Sequence, residues 1–424
     1  MVLVVTLILF YFLTPILLIY LSQISKTVNK IGVIVLAYAI GLLVRNINLF
    51  PRPSSAYKSL LTSNLSLPHA DMLKHLAEGR ITSGDMTLNQ IASVQDMIMS
   101  IAIPIALPLL LFSLDLGRWM KLAKEALLSF ILGIASVFII LIAGFFLFKG
   151  HIQESWKVAG MLCGVYTGAT ANMAAIGTAL EVNPNTFVLA NTYDMVLGAV
   201  FLLFLLTKAQ NLFNRVLPKF HETHKHIDID EVIAESEVID NYSGMFKKKN
   251  LLQLGKALGL SILILGASFA ISLLVPKNAQ TVTIILSITT LGLLLGTIKS
   301  ISSIDKTFQL GMYFIFVFSL VVSSMADLRS MFQIDFLNLF LYVLFAVVGS
   351  MLVHVFLSYL FKVDSDTTII TITALTFSPP FVPGVAAALK NKEVIITGIT
   401  SGILGIAFGN YMGVGIAYFL KGFL

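Results

Sequence analysis

Two stretches of this sequence interrupt long apolar segments: Thr167-Gly-Ala-Thr-Ala-Asn172-Met-Ala-Ala-Ile-Gly-Thr-Ala-Leu180 and Thr376-Phe-Ser-Pro-Pro-Phe-Val-Pro383-Gly-Val-Ala-Ala-Ala-Leu389. Glycine and proline disfavour a helix interior and leave backbone groups unpaired. Such backbone is tolerated at membrane depth only where it is buried in protein or lines a water-filled cavity. Corresponding interruptions in two halves of a chain are typical of a transporter binding site. We call Thr167–Asn172 the first break and Ser378–Pro383 the second break.

The composition is that of a multi-pass membrane protein. Hydrophobic residues make up 57% of the chain and charged residues 12%, with a mean hydropathy of +0.91. The basic excess, 28 Lys and Arg against 22 Asp and Glu, predicts no nucleic-acid partner, because basic residues are expected in cytoplasmic loops. The single cysteine, Cys163, excludes an internal disulfide and a cysteine-based zinc site. The sequence has no phosphate-binding glycine loop, so ATP-driven transport is not expected.

Apolar stretches long enough to span a membrane occur in both halves of the chain, and the interrupted segments, about 157–181 and 366–390, stand apart from them. Short motifs recur in the same order in each half, such as Gly41-Leu-Leu-Val44 and Gly292-Leu-Leu-Leu295. We therefore predict two repeats, 1–207 and 250–424, joined by a cytoplasmic linker at 208–249. The predicted spans lie near residues 2–22, 28–45, 96–116, 125–148, 186–207, 250–275, 279–298, 309–327, 336–361 and 393–420.

The distribution of basic residues favours inverted repeats. If each interrupted segment enters and leaves the membrane on one side, each half crosses five times and the second half is inverted. With the N-terminus outside, the cytoplasmic loops then hold most of the 28 basic residues. Full crossing would place either Lys247–Lys249 or the cluster of Arg118, Lys121 and Lys124 on the wrong face. We predict re-entrant segments and both termini outside, while a kinked crossing helix, with a different count elsewhere, stays open.

Asp194, in Asn191-Thr-Tyr-Asp194, is a candidate for ion coupling because it lies near the middle of an apolar span. A carboxylate there costs about 2.5–3.5 kcal/mol on insertion scales, so it indicates function by default. Together with Asn191, Thr192 and Asn172, it offers the oxygen atoms that a hard cation prefers. We predict that Asp194 binds sodium or carries a proton. The alternative is a protonated or hydrogen-bonded residue that packs helices.

The two breaks are candidates for holding an anionic solute, because unwound helix ends expose N–H groups with positive dipole character. Simple kinks that shape helix packing are the alternative. Asn410 occupies roughly the place in the last span that Asp194 has in its repeat, and a helix-packing hydrogen bond is its alternative role. His354 is expected to be a packed polar residue. The predicted solute-binding residues are Tyr166, Thr167, Gly168, Thr170, Asn172, Ser378, Pro379, Pro380, Pro383 and Asn410.

These motifs resemble the YjcL-like family of uncharacterised integral membrane proteins. The residues that carry the resemblance are Val165-Tyr-Thr-Gly168, Asn172, Asn191-Thr-Tyr-Asp194 and Ser378-Pro-Pro-Phe-Val-Pro383. That family is more distantly similar to sodium/glutamate symporters, bile-acid/sodium symporters and cation/proton antiporters. The resemblance implies inverted repeats, a scaffold domain, a core domain that moves like an elevator, and a homodimer. The chain lacks the glycine-rich tip of glutamate symporters and the paired acidic motif of the antiporters, so substrate and coupling ion do not transfer.

We therefore interpret the chain as a secondary active transporter of a small anionic organic solute, coupled to sodium or protons, in a bacterial cytoplasmic (inner) membrane. A cation/proton antiporter with Asp194 as the titrating carboxylate is the close alternative. A receptor or scaffold that transports nothing is the alternative of another class. An intramembrane aspartyl protease would need a second carboxylate, and its Gly-x-Gly-Asp run is absent from the sequence. No enzymatic activity and no cofactor besides sodium are expected; the expected partners are the solute, the lipid bilayer and a second copy of the chain.

Overall fold

The computed structural model describes residues 2–25, 28, 32–47, 51, 53–61, 66–113, 126–220, 242–245, 247–325 and 335–424. These residues form helices and contain no strand. The predicted linker at 208–249 is therefore described only in part, and the cluster of Arg118, Lys121 and Lys124 lies outside the described residues. The α-helices are, in chain order, α1 Val2–Ile24, α2 Val33–Asn46, α3 Ser55–Leu60, α4 His69–Ala77, α5 Ser83–Phe112, α6 Ala126–Phe148, α7 Ser155–Thr167, α8 Thr170–Ala179, α9 Pro184–Thr207, α10 Ala209–Phe213, α11 Lys248–Ser272, α12 Gln280–Gly296, α13 Lys299–Ser302, α14 Thr307–Ser323, α15 Asp335–Phe361, α16 Ser365–Phe377, α17 Val382–Leu389 and α18 Val394–Lys421.

The helices confirm the multi-pass membrane class. Within the described residues, eight helices are long and apolar enough to cross a membrane, where α12 is counted together with the 3-10 turn Lys277–Ala279 that precedes it. Each of the eight overlaps a predicted span, although α5 begins at Ser83, well before the predicted span at 96–116. The other two predicted spans correspond to α2 and α14, which are apolar but shorter, with 14 and 17 residues. The bounds of the apolar helices therefore follow the predicted spans, whereas α3, α4 and the first part of α5 lie between the predicted spans at 28–45 and 96–116.

The chain divides into two compact units, and the first contains Met1–Ala106 and Met312–Phe332. Its interior holds a polar triangle. Gln95 Nε2 donates hydrogen bonds to Tyr11 Oη and Ser324 Oγ, both at 2.9 Å, and those two oxygens are 2.8 Å apart. A Cβ atom on Gly41 would lie 2.0 Å from Ser323 Oγ, so only glycine permits this approach of α2 to the end of α14.

The second unit contains Leu107–Gly311 and Gln333–Leu424, and it holds both breaks. Here α18 packs against α7, α16 and α8, and α6 packs against α15. Each unit draws residues from both predicted repeats. The division into repeats at 1–207 and 250–424, their inversion and the assignment of scaffold and core domains stay predictions.

The first broken segment, α7 and α8, folds back on itself. Lys157 Nζ, near the start of α7, donates to Glu154 Oε1 and to the backbone oxygen of Glu181, beyond the end of α8, both at 2.8 Å. The backbone N–H of Asn183 also donates to Glu154, to Oε2 at 3.0 Å. The two ends of this segment therefore lie together, as re-entry requires.

The second broken segment, α16 and α17, is a hairpin of the same kind. Gln210 Nε2 donates to Asp366 Oδ1 in the first turn of α16 and to the backbone oxygen of Leu389 at the end of α17, both at 3.1 Å. One nitrogen atom thus contacts both ends of the hairpin. We call Gln210, Asp366, Leu389 and Asn391 the clamp, because Asn391 Nδ2 also donates to Asp366 Oδ2, at 3.0 Å.

The two hairpins approach each other from opposite ends of α9. The first hairpin ends just before Pro184, where α9 begins, and the clamp lies just after Thr207, where α9 ends. A helix of 24 residues is about 36 Å long, which is enough to cross a bilayer. The hairpins therefore enter this unit from opposite sides, and their tips are the two breaks.

Candidate functional site

The first break is a true interruption of the helix. Helix α7 ends at Thr167 and α8 begins at Thr170, with Gly168 at φ −151° and ψ −76° and Ala169 extended. The Thr167 hydroxyl donates to the backbone oxygen of Cys163 at 2.7 Å, within its own helix. The backbone N–H groups of Asn172 and Met173 donate to Ala169 O. A new helix, α8, thus begins directly at the break, and the positive end of the α8 dipole lies at the break.

The second break combines prolines with strained backbone. Helix α16 ends at Phe377, a single 3-10 turn covers Pro379–Phe381, and α17 begins at Val382. Ser378 between them has φ 76° and ψ 165°, a region used almost only by glycine. Strain of this kind costs about 1–3 kcal/mol and persists at sites where the surrounding structure enforces it. The break is therefore held in place by its neighbours.

The two breaks are in direct contact. The Ser378 hydroxyl donates to the backbone oxygen of Gly168 at 3.3 Å, which joins the tips of both hairpins. Thr167 is fully buried, while Thr170 and Ser378 are partly exposed. Buried and accessible polar groups thus meet at one point of the second unit. This is the arrangement expected of a binding site built from two unwound segments.

Helix α18 supports both breaks with a row of glycines. A Cβ atom on Gly405 would lie 1.8 Å from Thr167 O, and one on Gly409 would lie 2.1 Å from Asn172 Nδ2. A Cβ atom on Gly402 would lie 2.8 Å from Pro379 Cγ in the second break. Sequence reasoning missed these glycines. Their spacing of three and four residues, which places them on one helix face, is the signal that could have identified them.

Asn172 acts as a structural tie between the first break and α18. Its side chain is 2% exposed, and Nδ2 donates to the backbone oxygen of Ile406 at 3.1 Å. This bond uses one of the α18 carbonyl groups, next to the place where Gly409 allows close approach. The predicted roles of Asn172 in solute binding and ion coupling stay predictions.

Helix α9, which carries Asp194, lies beside both breaks. The Asp194 carboxyl group neighbours the buried hydroxyl of Tyr166, the residue that precedes the first break, although the pair does not reach ordinary hydrogen-bond geometry. One turn further along α9, a Cβ atom on Gly198 would lie 3.3 Å from the ring of Phe377, the residue that precedes the second break. Phe377 also packs on Phe201, with ring centroids 5.9 Å apart. Helix α9 thus passes both hairpin tips, with Asp194 next to the residue that precedes the first break.

The other predicted ion-coupling residues on α9, Asn191 and Thr192, differ in whether their side-chain oxygen atom has a hydrogen-bond partner in the structure. Asn191 is fully buried; its Nδ2 contacts Met195 Sδ at 3.1 Å, and its Oδ1 atom meets no hydrogen-bond partner. That free oxygen lies three residues before Asp194 on the same helix and suits a cation. The Thr192 hydroxyl instead donates to its own helix, at Val188 O, 2.7 Å away. In the part of the chain that the structure describes, no group of three or more His, Cys, Asp or Glu side chains could hold a metal ion.

Three of the predicted solute-binding residues lie outside the contact between Ser378 and Gly168. The Asn410 amide donates to Thr289 Oγ1 of α12 at 3.1 Å, so it pairs with a neighbouring helix. Pro380 and Pro383 are partly exposed and follow the point where the tips touch, whereas Pro379 is buried against Gly402. A role in binding for Asn410, Pro380 and Pro383 stays a prediction.

The clamp gives a direct test of how the second hairpin is held. We expect Gln210→Leu to remove the donor shared by Asp366 and Leu389 O, at a cost of about 1–3 kcal/mol locally. Hydrogen-exchange mass spectrometry of the purified protein should then show faster exchange across 365–393. Asn211→Leu, at an exposed position of the same short helix, is the matched control and should leave that exchange unchanged. Equal exchange in the two variants would show that the clamp contributes nothing to the hairpin.

Comparison with known proteins places this arrangement in a family. The family model described as protein of unknown function (DUF819) matches residues 82–423, which include both broken segments. The "Uncharacterized membrane protein YjcL" of Bacillus subtilis (strain 168) is 24% identical over 344 residues, covering 78% of this chain and 85% of that protein. The predicted resemblance to YjcL-like membrane proteins is thereby confirmed.

Proposed function

The chain belongs to the DUF819 family, and we propose that it is a secondary active transporter that moves a small anionic organic solute, coupled to sodium ions or protons. The observation that carries the proposal is the contact between the tips of the two hairpins. The hairpins enter from opposite ends of α9, and the carboxylate of Asp194 lies near the middle of that helix. Transporters commonly bind substrate and coupling ion at such discontinuous helices near the bilayer midplane.

The site offers separate places for the solute and the ion. The N-terminus of α8, with partly exposed Thr170, provides N–H groups and a hydroxyl at the positive end of a helix dipole, which suits a carboxylate. Asp194 and the free Oδ1 atom of Asn191 provide oxygen atoms for a cation. A cation bound there would also lower the cost of placing an anion next to Asp194.

In this proposal, an elevator-type movement of a core domain that carries both hairpins exposes the site to each side of the membrane in turn. The core would move against a scaffold domain within a homodimer, in a bacterial cytoplasmic membrane, with both termini outside. The contacts between hairpins and α18 favour this mode, because Gly402, Gly405 and Gly409 join both tips to one helix and allow them to move together. Independent opening of either hairpin would break those contacts.

A thermal-stability screen of the purified protein tests the proposal. Amino acids, dicarboxylates and sugar acids are added with and without sodium, at two pH values. A ligand at about 100 times its Kd stabilises the folded state by about 2.7 kcal/mol, so we expect one solute class to raise the melting temperature, and more so with its coupling ion. Thr170→Val should weaken that response, while Thr178→Val, in the same helix but outside the break, should preserve it.

Two other results would each favour an alternative function. Exchange of sodium for protons in proteoliposomes, without any solute effect in the screen, would identify the cation/proton antiporter, with Asp194 as the titrating group. Neither a solute effect nor exchange would favour the receptor or scaffold.

A further inference from the structure

Two helices of the second unit that are long enough to cross a membrane end next to each other. Helix α6 ends at Phe148, and α18 ends at Lys421. Lys149 Nζ, directly after α6, donates a hydrogen bond to the backbone oxygen of Phe423, just after α18, at 3.1 Å. Because both helices are apolar up to these ends, the ends lie where the hydrocarbon core of a bilayer meets the lipid headgroups.

Aromatic rings surround two lysine side chains at this place. Lys421 Nζ lies 4.8 Å from the centroid of the Trp156 ring and 5.6 Å from that of the Tyr418 ring. Lys149 Nζ lies 5.0 Å from the centroid of the Phe146 ring. Cation–π contacts of this kind position an ammonium group without neutralising its charge. Tryptophan and tyrosine are also the residues enriched at the level of the lipid headgroups.

The charge of these two lysines is not balanced by a neighbouring carboxylate. Neither Lys149 nor Lys421 forms an ion pair with an acidic side chain in the part of the chain that the structure describes. Lys157, a third lysine close to the Trp156 ring, differs from them because it pairs with Glu154 at 2.8 Å. The paired helix ends therefore present two positive charges to an anion at the membrane surface.

Exposed apolar side chains border the two lysines. Phe146 and Phe423 are both exposed, and their ring centroids are 5.5 Å apart. Phe419 is exposed as well and lies 5.3 Å from Phe423, centroid to centroid. A phospholipid matches this combination, because its phosphate suits the ammonium groups and its acyl chains cover the rings. A soluble phosphate ion would use only the charged part of the surface.

We propose that Lys149 and Lys421 bind the phosphate of an anionic phospholipid, whose acyl chains run along the exposed rings. Trp156 directly precedes Lys157, which joins the two ends of the first hairpin, so the bound lipid lies against the foot of that hairpin. Such binding needs neither a solute nor a coupling ion, and it therefore goes beyond the proposed transport function and stands without it.

The fluorescence of Trp156 in the purified full-length protein tests this lipid site. Trp119, which lies outside the described residues, is the other tryptophan of the chain and is removed as Trp119→Phe. The protein is reconstituted into bilayers in which brominated phosphatidylglycerol or brominated phosphatidylcholine, both contact quenchers of tryptophan, replaces the bulk lipid stepwise. We expect phosphatidylglycerol to bind about 30-fold more tightly than phosphatidylcholine, which corresponds to about 2 kcal/mol for two lysines.

Two double variants separate charge from packing. Lys149→Gln combined with Lys421→Gln should abolish the preference, so that both lipids quench Trp156 equally. Lys149→Arg combined with Lys421→Arg keeps both charges and should preserve the preference. Lys277→Gln, at an exposed position before α12, is the matched control and should also preserve it.

Several results would overturn the lipid site. A preference that survives in the double Gln variant would show that these lysines do not select the lipid, and equal quenching by both lipids without any lysine change would show that the surface does not recognise charge. If neither lipid quenches Trp156, a second copy of the chain or another protein segment covers the surface. If inorganic phosphate abolishes the preference while an equal concentration of chloride does not, the lysines bind free phosphate instead of a lipid.

Discussion

Asp194→Asn is expected to reduce ion-driven solute uptake by about 100-fold or more, equivalent to about 2.8 kcal/mol of lost coupling. Asparagine has nearly the same size, but it neither binds a proton at physiological pH nor supplies a negative charge to a cation. The variant should also fold at least as well as the wild type, because a neutral amide is cheaper to bury in a membrane than a carboxylate. Lost transport with retained or raised stability is the diagnostic combination.

The measurement is uptake into proteoliposomes of the solute that stabilises the protein most in the screen, driven by a sodium or proton gradient. Asp305→Asn makes the same change at an exposed position before α14 and serves as the matched control. It should transport at the wild-type rate. Full uptake by Asp194→Asn would contradict the ion-coupling role and, with it, the central place of this carboxylate in the proposed mechanism.

Hydropathy and helix-breaking residues were sufficient to predict the apolar helices and the two breaks, but not α3, α4 or the start of α5 at Ser83. Long apolar stretches have one stable form in a membrane, the helix, so their bounds appear directly in the sequence. The two breaks were predictable for a similar reason, because prolines and small polar residues in an apolar segment disrupt the helix locally. Positions such as Gly168 and Ser378 therefore carry a local signal that one sequence can show.

The pairing of elements was harder to predict, because it depends on residues far apart in the chain. Nothing local shows that Gln210 contacts both Asp366 and Leu389 O, or that Gly405 lies under Thr167 O. His354 was expected to be a packed polar residue; it is buried, but it also lines a cavity that only the arrangement of five helices creates. Such partners follow from tertiary packing and not from composition.

Gly405→Ala is expected to cause the largest loss of stability among single-methyl changes in α18. The added Cβ would lie 1.8 Å from Thr167 O and 2.8 Å from the Thr167 carbonyl carbon. Both are backbone atoms, so the clash cannot be relieved by a side-chain rotation, and the first break would have to shift. Overpacking of this kind typically costs about 1–3 kcal/mol, and more where the backbone must move.

Gly415→Ala is the matched control for Gly405→Ala, because it lies in the same helix with no heavy atom within 4 Å of the added Cβ. Alanine is a better helix former than glycine, so this variant should gain about 0.5–1 kcal/mol. Apparent melting temperatures in detergent should therefore move in opposite directions for the two variants. A Gly405→Ala variant that melts with or above Gly415→Ala would show that α18 does not hold the first break. In that case the joint movement of both hairpins would lose its structural basis, since Gly405 is the closest contact between α18 and the first break.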